Sequence, residues 1–238
     1  MARTALIGGL GPGFGESLAW TLAEDGYRVA VMARSADYLQ DFVADLSNAG
    51  HDALAVPADV TDKTAVNRAF EQVDDAFGPP DAVTIQFSAE GGWDEMSDLT
   101  ADSFREAWEV YGYGTFLCMN AAVARMQESG GSILVVGATP RYGMGDAHGF
   151  VSACAAKREL ARSAARELGE TGIHVVHAAV DSVILNPDIE AVAPKPIETD
   201  RFLDPDSVAE VCRTPGVGRP AWISDPVSTT ISTTVRGC

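Results

Sequence analysis

The chain has 238 residues, 46% of them hydrophobic and 21% charged, with a formal net charge of −17, a size that suits one α/β domain whose sheet is covered on both faces. That acidity repels nucleic acid and anionic membrane surfaces, and no apolar run reaches the ~20 residues that span a bilayer, so neither is expected as a partner. The N-terminus has no basic segment leading into an apolar core, and Cys118, Cys154, Cys212 and Cys238 show no CxxC or metal-ligand spacing, so a cytoplasmic protein with free thiols and no metal is expected.

The elements follow in order. An apolar run at 4–7 reads as a buried strand, and Gly8-Gly9-Leu10-Gly11-Pro12-Gly13-Phe14-Gly15 follows at once. A helical pattern over 16–25 puts Leu18, Leu22 and Ala23 on one face, Gly26 closes it, and Val29-Ala30-Val31-Met32 is a second strand. Strand, glycine turn, helix and strand form the unit that holds a dinucleotide pyrophosphate: the glycines admit close backbone approach, and the helix N-terminus attracts the anion. The pattern continues with a helix at 39–49, a strand at 53–56, a helix from Thr61-Asp62 to Phe77 with Thr61 as N-cap, and a strand at 82–85. Next come a long helical region at 101–128, interrupted near Gly112 and Gly114, a strand at 132–136, a helix at 150–171 and a strand at 173–180. This alternation predicts a doubly wound, Rossmann-like parallel sheet of about seven strands, with right-handed crossovers and no second domain. The three prolines in 186–204 (Pro187, Pro194 and Pro196) predict a flexible flap on the substrate side. Beyond it we expect a short helix at 205–212, a last strand at Ala221-Trp222-Ile223 and a frayed tail over 227–238.

Three lysines (Lys63, Lys157, Lys195) stand beside fourteen arginines. Together with the acidity this fits either a surface adapted to high salt or a GC-rich genome that favours Asp, Ala and Arg.

Several motifs in the right order identify the chain as similar to the short-chain dehydrogenase/reductase superfamily over nearly its full length. The GxxxGxG turn is matched by Gly9, Gly13 and Gly15, the acidic residue after the third strand by Asp59-Val60, and the helix lysine by Lys157 after Ala155-Ala156. The Pro-Gly-x-Ile-x-Thr segment appears as Asp181-Ser182-Val183-Ile184-Leu185-Asn186, and the Asn-Asn-Ala-Gly segment as Ile85-Gln86-Phe87-Ser88. The resemblance implies that Gly9, Gly13, Phe14, Gly15, Arg34, Ser35, Asp59, Val60, Ser88, Lys157, Ile184 and Asn186 line a nicotinamide cofactor. Members preferring NAD carry an acidic residue after the second strand; here Ala33-Arg34-Ser35 stands there, and a guanidinium suits a 2′-phosphate, so NADP(H) is expected over NAD(H).

At the catalytic positions this sequence departs from the family. The tyrosine expected four residues before the lysine is Ala153, the serine after the fifth strand aligns with Ala138 beside Thr139, and the helix asparagine aligns with Tyr111. Lys157 is retained, and Gly137-Ala138-Thr139 resembles a divergent branch that often lacks the tyrosine. Thr139, Tyr111, Tyr142, His148 or a water held by Lys157 are the candidate proton donors, and Tyr111 is equally readable as a core aromatic. His148 reads as a loop residue, Cys154 as a small helix residue, and Trp93 and Trp108 as packing residues.

Three functions follow from this reading: an NADP(H)-dependent oxidoreductase acting on a carbonyl or activated double bond of a small molecule, a non-catalytic NADP(H) sensor or partner subunit, and a non-redox enzyme on the same fold. The family resemblance also implies a homodimer or homotetramer through helices four and six. Small residues in the later helix (Ala153, Ala155, Ala156, Ala161, Ala164, Ala165) allow close helix approach.

Overall fold

The computed structural model describes residues 2–89, 91–138, 147–180, 182–187 and 202–213, and the backbone of 229–231. Its centre is a parallel sheet of β1 (Thr4–Gly8), β2 (Arg28–Met32), β3 (Ala53–Ala55), β4 (Ala82–Ile85), β5 (Gly131–Ala138) and β6 (Ile173–Val180). β7 (Val183–Ile184) and β8 (Phe202–Leu203) pair separately, and β9 (Thr229–Ile231) adds to the edge, giving a seven-stranded order β3-β2-β1-β4-β5-β6-β9. The order reverses beside β1, so the crevice between β1 and β4 opens at the strand C-termini, where open α/β sheets bind ligands.

Alternation along each strand divides the core. Ala5, Ile7, Val29 and Val31 pack beneath α1 (Phe14–Glu24) and α2 (Ala36–Asn48), which contribute Leu18, Leu22, Leu39, Phe42 and Leu46. Leu6, Ala30, Val83, Ile85, Ile133 and Val135 face the opposite layer, α3 (Lys63–Phe77), α5 (Thr115–Met126) and α6 (His148–Leu168). Every strand residue from Ala82 to Ile85 is buried, as a sheet covered on both sides requires. Each fully buried Leu or Ile contributes roughly 1.5–3 kcal/mol by leaving water.

Several expectations are corrected. Thr61 does not cap α3: its amide and hydroxyl both donate to Asp59 Oδ1, at 2.9 and 2.8 Å, and Asp62 caps instead by accepting from Thr64 N at 2.7 Å. The long helical region is three segments, α4 (Ala101–Ala107), a π-helix π1 (Trp108–Gly114) and α5. Within π1, Gly114 sits where a Cβ would come within 2.9 Å of Val60 Cγ2, so the glycines that weaken the α pattern also let the helix close on the loop after β3. The flap expected over 186–204 is partly sheet, because Phe202–Leu203 pairs with β7 and Leu203 is buried; its residues 188–201 lie outside the described residues. β9 falls in the tail expected to fray, pairing with Ala178, Ala179 and Val180, while the strand expected at 221–223 lies outside the described residues. Helix α7 (Pro205–Cys212), capped by Asp204, covers the same end of α1 that Arg213 binds through Asp25 at 2.7 Å. Among the described residues no helix is long and apolar enough to cross a membrane.

Candidate functional site

The turn after β1 is drawn tight against the neighbouring strand ends. Gly9 N and Leu10 N both donate to Met32 O, at 2.8 and 3.0 Å. Gly9 (φ +96°) and Gly13 (φ +84°) hold a backbone that L side chains rarely adopt. A Cβ on Gly9 would lie 2.9 Å from the Gln86 carbonyl, and one on Gly13 2.7 Å from Leu185 O. The turn therefore touches both the segment after β4 and the segment after β6. Helix α1 begins at Phe14, earlier than expected, with no side-chain cap on its first turn. The first-turn carboxylate, Glu16, is occupied by the Tyr38 hydroxyl at 2.6 Å, and burial with that contact pushes the Tyr38 phenol well above its ordinary range. The turn thus sits at the positive end of a helix dipole, as a phosphate site requires.

At the end of β2, Arg34 and Ser35 are exposed, and Ser35 also caps α2 through Tyr38 N at 3.4 Å. The Asp59 carboxyl is held below its ordinary value mainly by the Thr61 amide and hydroxyl, with a further contribution from the Arg34 charge. Val60 is buried against π1. Arg34 and Asp59 therefore share one end of the crevice.

At the other end stands Lys157, 1% exposed on α6. Burial lowers its ammonium from 10.5 to about 8, partly offset by the neighbouring Cys154 and Cys118 thiols. Its Nζ lies 5.9 Å from the centroid of the Tyr111 ring, and among the described residues no carboxylate pairs with it. Tyr111 enters from π1, is 4% exposed, and its hydroxyl accepts a hydrogen bond from Ala89 N at 3.0 Å. Its ring meets Phe150 edge-on at 5.1 Å, and Phe150 stacks on Trp93 at 4.4 Å. Ala153 is sealed within this cluster with Ala107 and Ala89. A phenol projecting from position 153 would meet Tyr111, so Ala153 does not face an open pocket; the aromatic bulk has moved from α6 to π1.

Ser88, just after β4, is exposed at the mouth. Ile184 in β7 and Asn186 are carried to the glycine turn, the Asn186 Cβ lying 3.1 Å from a Cβ placed on Gly13. Thr139 and Tyr142 lie outside the described residues. His148 is the first residue of α6 rather than a loop residue. Trp108, expected to pack, is instead partly exposed at 39%, tied to α6 by a hydrogen bond from its Nε1 to Ser152 Oγ at 3.1 Å.

Sequence reasoning missed two features. One is the π-helix, whose only trace is the glycine pair Gly112 and Gly114. The other is His177 on β6, 1% exposed, with neither ring nitrogen hydrogen-bonded to any of the described residues. Burial, then the Lys157 charge, holds its imidazole down at about 4. Its Nε2 would lie 2.6 Å from a Cβ on Gly137, which explains the glycine there.

The family model for short chain dehydrogenases matches residues 3–186. The chain belongs to the short-chain dehydrogenase family, whose fold binds a nicotinamide cofactor. Among curated relatives it is 29% identical to a 3-oxoacyl-(acyl-carrier-protein) reductase of Staphylococcus aureus over 209 residues, 81% of this chain and 79% of that one. It is 25% identical to an NADPH-dependent aldehyde reductase-like protein of Arabidopsis thaliana, across 94% and 84% of the two chains. The fold matches the crystal structure of gox2181 with a TM-score of 0.87 at 22% identity, covering 98% and 95% of the chains. It matches an actinorhodin polyketide ketoreductase with NADPH at 0.85 and 20%, covering 98% and 97%.

Proposed function

We propose that the protein is an NADP(H)-dependent oxidoreductase that reduces a carbonyl or activated double bond of a small molecule with a proton donor other than the usual helix tyrosine. The observation that carries this reading is the buried Lys157 ammonium at the crevice end opposite Arg34. A charge kept dry without a carboxylate is costly, and its position suits a group that holds the nicotinamide ribose. The glycine cradle fits a dinucleotide, since side chains on Gly9 or Gly13 would fill it. When bound, the reduced nicotinamide supplies a hydride. Gly9, Gly13, Phe14 and Gly15 would hold its pyrophosphate, Arg34 and Ser35 its 2′-phosphate, Asp59 and Val60 its adenine, and Ser88, Ile184 and Asn186 its nicotinamide half. The relatives whose names carry NADPH support the same choice.

Equilibrium binding of NADPH and NADH, followed by a turnover panel of ketones, quinones and enones, tests the reading. NADPH should bind more tightly, and Arg34→Asp should reverse the order. An equal loss for both cofactors in that variant would remove Arg34 from the site. The sealed position of Ala153 favours a second reading, a non-catalytic NADP(H)-binding sensor, which binding without turnover on any acceptor would support. We further infer a cytoplasmic homodimer or homotetramer: Phe104, Trp108, Tyr113 and Phe116 along α4, π1 and α5 are each 39–46% exposed, an apolar stripe that a second copy would cover.

A further inference from the structure

One aromatic side chain is held firmly and yet left nearly half in water. Trp93, in the loop between β4 and α4, stacks on Phe150 with ring centroids 4.4 Å apart and planes at 20°, and 43% of it stays exposed. One indole face is taken by Phe150, so the exposure falls on the other face and the edge. We propose that this open face of Trp93 is a substrate subsite, a stacking platform that selects ketones or quinones built on two or more fused planar rings. The subsite rests on the reductase reading and gives it a substrate class.

The loop is built to fix this ring. Ser103, on α4, binds it on both sides of Trp93: its Oγ accepts from Gly92 N at 2.9 Å and donates to Asp94 Oδ2 at 2.9 Å. Phe150 N donates to Gly92 O at 3.3 Å, which ties the loop to the first turn of α6. Glycine is needed on both sides of that contact. A Cβ on Gly92 would stand 2.8 Å from Ala107 Cβ, and one on Gly149 2.7 Å from Gly92 Cα. This close packing orders the indole without covering it. A platform ordered before its ligand arrives saves the side-chain entropy that binding otherwise costs.

The fold ties the platform to the crevice. Loops that follow parallel strands, and the N-termini of the helices after them, share the C-terminal edge of the sheet where the crevice opens. The Trp93 loop starts there, at Ser88 and at Ala89, whose amide donates to the Tyr111 hydroxyl at 3.0 Å. Behind Trp93 the rings run inward: Phe150 meets Tyr111 edge-on at 5.1 Å, and Lys157 Nζ lies 5.9 Å from the Tyr111 centroid. Phe150 stands seven positions before Lys157, about 10 Å of rise along α6. A single ring stacked on Trp93 falls short of a nicotinamide held at Lys157, whereas two or three fused rings carry a carbonyl on their far edge to it. The indole also gains more from a flat conjugated ring than from a puckered one of the same size, because stacking adds to the burial of area.

2-Acetonaphthone and its fully saturated counterpart, 2-acetyldecalin, share a carbon skeleton and differ in planarity. Calorimetry on the full chain, with and without NADP+, should show the naphthyl ketone binding roughly three- to tenfold more tightly. Trp93→Leu keeps an apolar side chain and should remove that preference, Trp93→Phe should keep most of it, and NADPH affinity should stay within twofold in both variants. Equal binding of the two ketones, no binding of either, or a preference that survives in Trp93→Leu overturns the subsite. A Trp93-dependent preference without NADPH oxidation overturns the reductase reading and leaves the subsite standing. NADPH oxidation at equal kcat/KM with both ketones does the reverse.

Discussion

Replacing Lys157 by Met should make the cofactor-free protein more stable at neutral pH and less dependent on pH. Burial moves the ammonium from 10.5 to about 8, which at about 1.4 kcal/mol per pH unit is a cost on the order of 3 kcal/mol. The folded value lies below the unfolded one, so the cost is fully present below about pH 8, shrinks as pH rises, and vanishes above 10.5. Met has similar length, fits among Tyr111, Cys118 and Cys154, and carries no charge to desolvate. At pH 7 the variant should gain about 2–3 kcal/mol, a rise in Tm of roughly 4–12 °C for a chain of this size. Burial also raises the neighbouring thiols, Cys118 to about 12, so at pH 7 both proteins carry them protonated. Urea unfolding at pH 7, 8, 9 and 10 measures it, with the slope against urea unchanged between variants. A variant equal to or weaker than the parent at pH 7, or a difference constant from pH 7 to 10, would refute the argument that Lys157 is buried as a charge.

Three further outcomes are expected. His177, held at about 4 against an ordinary 6.5, is neutral in the folded state, so stability should fall as pH drops through that window; between pH 7 and 5 the loss is about 2 kcal/mol, and His177→Leu should remove that part of the thermal-melt slope. Gly13→Ala should abolish cofactor binding and destabilise the fold by several kcal/mol, because its Cβ meets Leu185 O at 2.7 Å, whereas Gly26→Ala, at a similar φ of +81° with open space around it, should cost only about 1 kcal/mol and leave calorimetric binding intact. Phe116→Asp combined with Trp108→Asp should give a monomer by sedimentation; an unchanged mass, or a parent already monomeric at high and low salt, would show that the apolar stripe is not a contact between copies.

The parts of this fold that were legible in the sequence are those set by local periodicity and turn chemistry. β4 and β6 match their apolar runs, and α7 matches its Asp204-Pro205 start, because a buried parallel strand and a proline-led helix each carry their own signal. The glycine turn was readable because Gly9 and Gly13 serve a backbone need that no other residue meets. The site's acid side was less legible, since the loss of a hydroxyl at Ala153 says nothing about what fills the space. That depends on Tyr111, 42 positions earlier, arriving through a helix whose hydrogen-bond period changes for two turns. The Asp62 cap was missed for a similar reason: Thr61 is an equally good cap until Asp59 claims its hydroxyl. β9 was missed because a Ser/Thr-rich segment becomes a strand only where an open sheet edge, here β6, is offered to it.

The stretch from Trp108 to Gly114 gives the protein an unusual route of change. A helix advances about 100° per residue, so deleting Gly112 would let the segment relax to ordinary α geometry and swing Tyr111 away from Lys157, while the residues of α5 kept their contacts with β4 and β5. Conversely, one extra residue in a regular helix suffices to bring a phenol into the crevice. At this position a gain or loss of chain length does what point substitution at Ala153 cannot, because the neighbouring side chains there are already sealed. Chemistry at such a site can be acquired or discarded in one genetic step, leaving the glycine cradle at the far end of the crevice unaltered.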